Sequence, residues 1–162
     1  MSSADVVDPI TEDDLRSALD AIAAAEMEVD TEANAEDIDV GEEEIEEALP
    51  EVLPSGIREN HLYCRQGLSH NWAFNDTWFR PATTCEMWTR SAFYNSAGAR
   101  LWISGWRYKG GGNPLAKYGN RWAYQNANVA RAIAVWMTAV RDPTSGGWQE
   151  IHSWSSWVSC GQ

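Results

Sequence analysis

From residue 57 onward the hydrophobic positions come in short runs that alternate with polar ones, the period-two signature of strands lying half-buried in a sheet. Cys85-Glu-Met-Trp-Thr-Arg-Ser-Ala-Phe-Tyr94 and Ala99-Arg-Leu-Trp-Ile-Ser-Gly-Trp-Arg-Tyr108 flank the short loop Asn95-Ser-Ala-Gly98. Aromatic and β-branched runs around a polar loop that ends in glycine predict a long hairpin. A second hairpin is predicted from Val129–Arg141 and Trp148–Cys160 around Asp142-Pro-Thr-Ser-Gly-Gly147, where Asp-Pro opens the turn and Gly-Gly closes it. Residues 128–137 are alanine-rich, so a helix competes there. Alternation favours a strand, with Val129, Ile133, Val135 and Met137 on one face and Arg131 the exception.

At an offset of 48 residues, Trp88, Gly98, Ile103 and Trp106 fall on Trp136, Gly146, Ile151 and Trp154 without gaps, which raises a duplicated hairpin against chance convergence. His61–Arg65 and Trp72–Arg80 supply earlier strands. The pattern predicts a mostly β fold: a small antiparallel β-sandwich or barrel of two long hairpins plus edge strands.

The first third of the chain has a different pattern. Thr11-Glu-Asp-Asp14 resembles a capping box, and Leu15, Leu19, Ile22 and Ala23 follow at helical spacing, which predicts a helix over 11–26 with a narrow apolar stripe. A second short helix is predicted over 42–49, where Ile45 and Leu49 are one turn apart and Pro50 and Pro54 stop the run. Between them, Met27–Gly41 is acidic, poor in bulky apolar residues and reads as disordered. The domain boundary falls near Leu53-Pro54-Ser55-Gly56. Residues 1–56 form an acidic arm, partly helical or disordered, and 57–162 a Trp-rich antiparallel β domain.

Charge sharpens this division. Residues 1–56 hold 19 acids against the single base Arg16 and no aromatic residue, a net −18. Residues 57–162 hold 11 Lys or Arg against five acids, a net +6, together with all ten Trp, all five Tyr and all three Phe. The arm therefore suits a basic surface, on its own domain or on another subunit. It reads as a solubilising tail, as a docking arm that uses Leu15, Leu19 and Ile22, or as a pro-segment shielding the domain, which tethering would favour. The N-terminus lacks the basic start and apolar run of a classical signal peptide. No stretch approaches the roughly 18 apolar residues of a membrane-spanning helix. Leaderless export, packaging in a particle and a cytosolic life all fit.

Cys64, Cys85 and Cys160 are not at metal-ligand spacing. A Cys64–Cys160 bridge would join the ends of the Trp-rich region. Cys64–Cys85 is equally permissible on sequence, as are three free thiols.

A domain of about 100 residues does not readily bury ten indoles, each with an N–H that needs a partner, so four to six Trp are expected inside and the rest partly exposed. Trp154 and Trp157, at odd spacing, should face opposite ways, and Trp102 and Trp106 the same way. Outward aromatics beside Arg or Lys suit sugar rings, a cell surface or a protein. Tyr118–Asn126 reads as a polar recognition loop, making Trp102, Trp106, Arg121, Trp122 and Tyr124 the candidate ligand residues.

Catalytic material is thin. His70, Asp76 and His152 are the weak candidates, without HExxH spacing or a nucleophile elbow, and no metal or cofactor is expected. Lys109-Gly-Gly-Gly-Asn-Pro114 lacks the Lys-Ser/Thr ending of a phosphate loop and reads as a flexible connection. Asn75-Asp-Thr77 matches the glycosylation acceptor pattern. Scattered bases and a competing acidic arm argue against nucleic acid. The sequence points to a non-enzymatic recognition module for carbohydrate, cell surface or protein, with an arm that docks or shields it. The alternatives are a structural component of a virion or other assembly, and a toxin or hydrolase with an inhibitory acidic pro-segment.

Overall fold

A computed structural model describes residues 35–44, 55–66 and 71–161. They form strands β1 (Ala35–Glu44), β2 (Gly56–Gln66), β3 (Trp72–Arg80), β4 (Cys85–Asn95), β5 (Arg100–Ile103), β6 (Arg107–Gly112), β7 (Ala116–Gln125), β8 (Val129–Arg141) and β9 (Trp148–Ser159). Two antiparallel sheets stack as a sandwich. One has the order β1-β7-β3-β2; the other has the order β5-β4-β8-β9, with β6 also pairing along β4.

Strand β3 shows how the sequence sets the layers. Ala73, Asn75, Thr77 and Phe79 are buried toward the facing sheet, while Trp72, Phe74, Asp76 and Trp78 alternate with them on the outer face. Two apolar clusters fill the space between the sheets. One gathers Leu62, Phe93, Trp102, Trp122 and Tyr124; the other gathers Phe79, Met87, Tyr118 and Trp136.

A polar band also crosses the space between the sheets. Asn75 Nδ2 donates to Asn60 Oδ1 at 2.6 Å and to the His61 carbonyl at 3.0 Å, and Ser91 Oγ lies 3.0 Å from Asn75 Oδ1. Trp136 Nε1 donates to Thr77 Oγ1 at 2.8 Å. The Ser91–Asn75 and Trp136–Thr77 bonds join the two sheets, the other two tie β3 to β2, and together they satisfy groups whose burial would otherwise cost about 1–3 kcal/mol each. Asn75 and Thr77 are fully buried, so the acceptor pattern there belongs to the core and is closed to glycosylation in the folded chain.

Both predicted turns form. Asn95 Oδ1 accepts from Ala97 and Ala99 N–H, and Gly98 takes φ 91°. Asp142 Oδ1 accepts from Thr144 N–H, and Gly146 takes φ 79°. The offset repeat holds at these turns and at Ile103 and Ile151, which pack in one cluster, but fails at both tryptophan pairs. Trp88 and Trp136 pack in different clusters on opposite faces of the five-stranded sheet, as do Trp106 and Trp154.

The first hairpin's return run is two strands. Ser104–Trp106 breaks it, with Ser104 N–H bonded to the Ser91 carbonyl at 2.9 Å and Ser91 N–H to Ser104 Oγ at 3.0 Å. Residues 128–137 are strand from Val129 onward, but Val129 does not share a face with Ile133, Val135 and Met137. The register slips between Tyr94↔Arg131 and Asn95↔Val129, and that bulge turns Val129 inward. Tyr118–Gln125 is an inner strand, not a recognition loop. Lys109–Gly112 is strand too, not a flexible connection. A Cβ on Gly112 would lie 2.8 Å from Met87 Sδ, so the glycine permits close strand packing.

The disulfide joins Cys64 of β2 to Cys160 after β9, with Cα atoms 5.6 Å apart, and Cys85 is a buried free thiol. Residues 35–41, expected to lack structure, pair in β1 along β7, and 42–44 extend that strand where a helix was expected to begin. Pairing covers an edge of β7 that would otherwise present open backbone groups. The remainder of the 42–49 prediction and the whole of 11–26 lie outside the described residues.

Candidate functional site

The outer face of the four-stranded sheet is built from alternate positions of three strands. Strand β3 contributes Trp72, Phe74, Asp76 and Trp78, all half-buried. Strand β2 places Tyr63 opposite Phe74, His61 opposite Asp76 and Glu59 opposite Trp78. On the other side, β7 sets Arg121 opposite Asp76, with small Ala123 opposite Phe74 and Gly119 opposite Trp78. Small neighbours leave room for the large rings on this face.

The rings run in near-parallel pairs. Trp72 and Phe74 have centroids 6.2 Å apart and planes 12° apart; His61 and Tyr63 repeat the arrangement at 6.2 Å and 28°. Four rings on two adjacent strands thus form a shallow platform. Tyr63 keeps 39% of its surface in solvent.

Arg121 is held beside this platform by two contacts. Its Nε and one terminal nitrogen grip Asp76 at 2.6 and 2.8 Å, and its guanidinium carbon sits 4.8 Å from the Phe74 centroid. The bond to Asp76 raises the arginine's pKa, and burial opposes that shift without reversing it. A bidentate fork stacked on a ring is preorganised, so its remaining N–H donors have a defined direction. At the other end, Lys117 lies over Trp78 at 5.2 Å and 3.5 Å from Glu59.

The predicted ligand residues separate. Only Arg121 lies on this face. Trp102, Trp122 and Tyr124 meet one another between the sheets, with Trp102 and Tyr124 centroids 5.5 Å apart, and all three are buried. Trp106 is buried on the far side of the five-stranded sheet, because the Ser104–Trp106 break changes the parity that would have aligned it with Trp102. Five Trp are buried (88, 102, 106, 122 and 136) and five are half-buried (72, 78, 148, 154 and 157), within the division expected from the packing limit. Trp154 and Trp157 do face opposite ways.

The catalytic candidates do not converge. Asp76 is engaged by Arg121, and exposed His152 lies on the other sheet, 4.0 Å from Glu150. His70, like Leu15, Leu19 and Ile22, lies outside the described residues. Among the described residues, no three His, Cys, Asp or Glu side chains gather as a metal-ligand set. Burial pushes the Cys85 thiol up to about 11, with Glu86 adding to the shift, so it is a poor nucleophile near neutrality.

The sequence reasoning missed Trp72, Phe74, Tyr63 and His61. The available signal was Asp76 in phase with Trp72, Phe74 and Trp78, because an acid rarely faces a core, and this marks their side as the outer one.

No family model matches the chain, and no curated protein matches it. Among solved structures, it is similar to a penta-heme cytochrome c552 from Thermochromatium tepidum at TM-score 0.34 and 8% identity. That alignment covers 62% of this chain and 40% of the cytochrome, and a likeness this slight carries no inference.

Proposed function

We propose that the β domain is a non-enzymatic recognition module that binds carbohydrate on the outer face of its four-stranded sheet. The observation that carries this reading is the half-exposed ring platform of Trp72, Phe74, Tyr63 and His61, with the Arg121–Asp76 pair fixed beside it. An aromatic face bordered by directed donors and acceptors matches a sugar ring, which has an apolar face and a rim of hydroxyls. A platform also suits an extended chain or surface better than a small molecule, which favours a concave site. The Cys64–Cys160 bridge suits an oxidising environment, where such ligands are displayed.

The arm acts on the same surface. Strand β1 runs along β7, with Ile38 in register with Arg121 and Glu43 with Lys117. This placement of an acidic segment at the border of the platform supports the shielding role.

Retention on insoluble cellulose and chitin and on immobilised soluble glycans tests the proposal. The full chain should be retained on at least one, and Trp72→Ala with Phe74→Ala should abolish retention while the melting transition stays cooperative. Equal retention of the double variant, or no retention of the full chain on any of them, would reject it.

A further inference from the structure

The far side of the sandwich poses a different problem. On the outer face of the five-stranded sheet, Trp88, Tyr94 and Met137 keep only 2%, 1% and 0% of their surface in solvent. Yet every described strand belongs to one of the two sheets, so none lies across this face. Trp106, Trp148 and Trp157 supply part of the cover from within the sheet itself. Guanidinium groups accompany them: Arg90 over Trp106 at 5.0 Å, Arg131 over Trp157 at 4.5 Å and Arg141 over Trp148 at 4.0 Å. The face is thus apolar at its centre, with three guanidinium groups around it and one acid, Glu86, engaged by Tyr108.

We infer that residues 11–26 of the chain's own arm dock on this face as a third layer. The segment's sequence sets Leu15, Leu19 and Ile22 at helical spacing, with five acids against one arginine, which complements an apolar centre flanked by three Arg. A helix of this length is about 24 Å long, comparable to the strands beneath it.

The chain also enters from the required side. Ala35, the first residue of β1, pairs with Tyr124, whose hydroxyl lies 3.3 Å from the Leu101 carbonyl of β5, the edge strand of the five-stranded sheet. Residues 27–34 then have to turn that edge, and eight extended residues reach about 26 Å. The arm embraces the domain twice: β1 extends one sheet, and 11–26 covers the other. This inference does not depend on the carbohydrate reading, because it concerns the opposite face.

Hydroxyl-radical footprinting of the full chain tests it. Met137, Trp88 and Tyr94 should label slowly in the unmodified protein at all concentrations. Leu15→Asp with Leu19→Asp and Ile22→Asp should raise their labelling severalfold, while Trp136, buried between the sheets, stays protected and reports an intact fold. If Trp136 labelling rises as well, the single Leu19→Gln variant replaces the triple one and the same contrast is required. Unchanged Met137 and Trp88 labelling in the folded variant overturns the inference. So does protection that disappears on dilution of the unmodified chain, which would assign the cover to a second copy.

Discussion

The two outer faces of this sandwich use the same kinds of residue to opposite ends. On the four-stranded sheet, Trp72, Phe74 and Trp78 are half-buried and share their face with Asp76, Glu59 and His61. On the five-stranded sheet, Trp88, Trp106 and Tyr94 are buried together with Ile133, Val135 and Met137. An indole is therefore not a binding residue by type. What lies across the sheet decides: Glu59 and Gly119 beside Trp78 leave it in contact with water, whereas Met137 opposite Trp88, with Tyr108 and Trp148 packed on its ring, encloses it.

The contrast is sharpest in stability. Trp88→Ala should cost about 3–5 kcal/mol, the range for deleting a buried large aromatic, whereas Trp72→Ala should cost about 1 kcal/mol or less. Urea melts of the two variants measure both, and equal losses would erase the distinction between the faces. Removing the Cys64–Cys160 bridge by paired serine substitution should cost about 2–4 kcal/mol, because it closes most of the domain in one loop. Asn75→Ala should cost about 1–3 kcal/mol by removing the donor that Asn60 Oδ1 and the His61 carbonyl share. By contrast, Arg121→Lys should change stability by less than about 1 kcal/mol, since its ion pair is partly exposed, yet weaken glycan binding because lysine cannot form the stacked fork.

One further effect is set by pH and belongs to the interior. Cys85 titrates at about 11 in the folded chain against 9.0 as its ordinary value. A raised thiol pKa means that the unfolded state loses its proton first. Stability from this group is complete below pH 9 and is lost as pH climbs through 11. Melts of the unmodified chain and of Cys85→Ala across that window should converge in slope at neutral pH and part on the alkaline side.

Much of this fold was legible in the sequence because strand period, turn chemistry and charge each act locally. Asn95–Gly98 and Asp142–Gly147 form turns from their own side chains, and Trp72–Phe79 alternates without interruption. Parity across an irregularity was not legible. The break at Ser104–Trp106 and the bulge before Arg131 depend on pairing with β4, a non-local register that no window along the chain contains. That is why Trp106 and Val129 were placed on the wrong face. Burial was the other gap: Trp102, Trp122 and Tyr124 have the composition of a recognition surface, and only the stacking of two sheets encloses them.

The most direct test of the recognition face is footprinting of the full chain with and without a polysaccharide that retains it. Trp72, Trp78, Trp148 and Trp157 are all half-buried, two on each outer face, so they serve as matched reporters. Binding should protect Tyr63, Trp72 and Trp78 from labelling and leave Trp148 and Trp157 unchanged. Protection of Trp148 and Trp157 with Trp72 and Trp78 unaffected would place recognition on the other sheet.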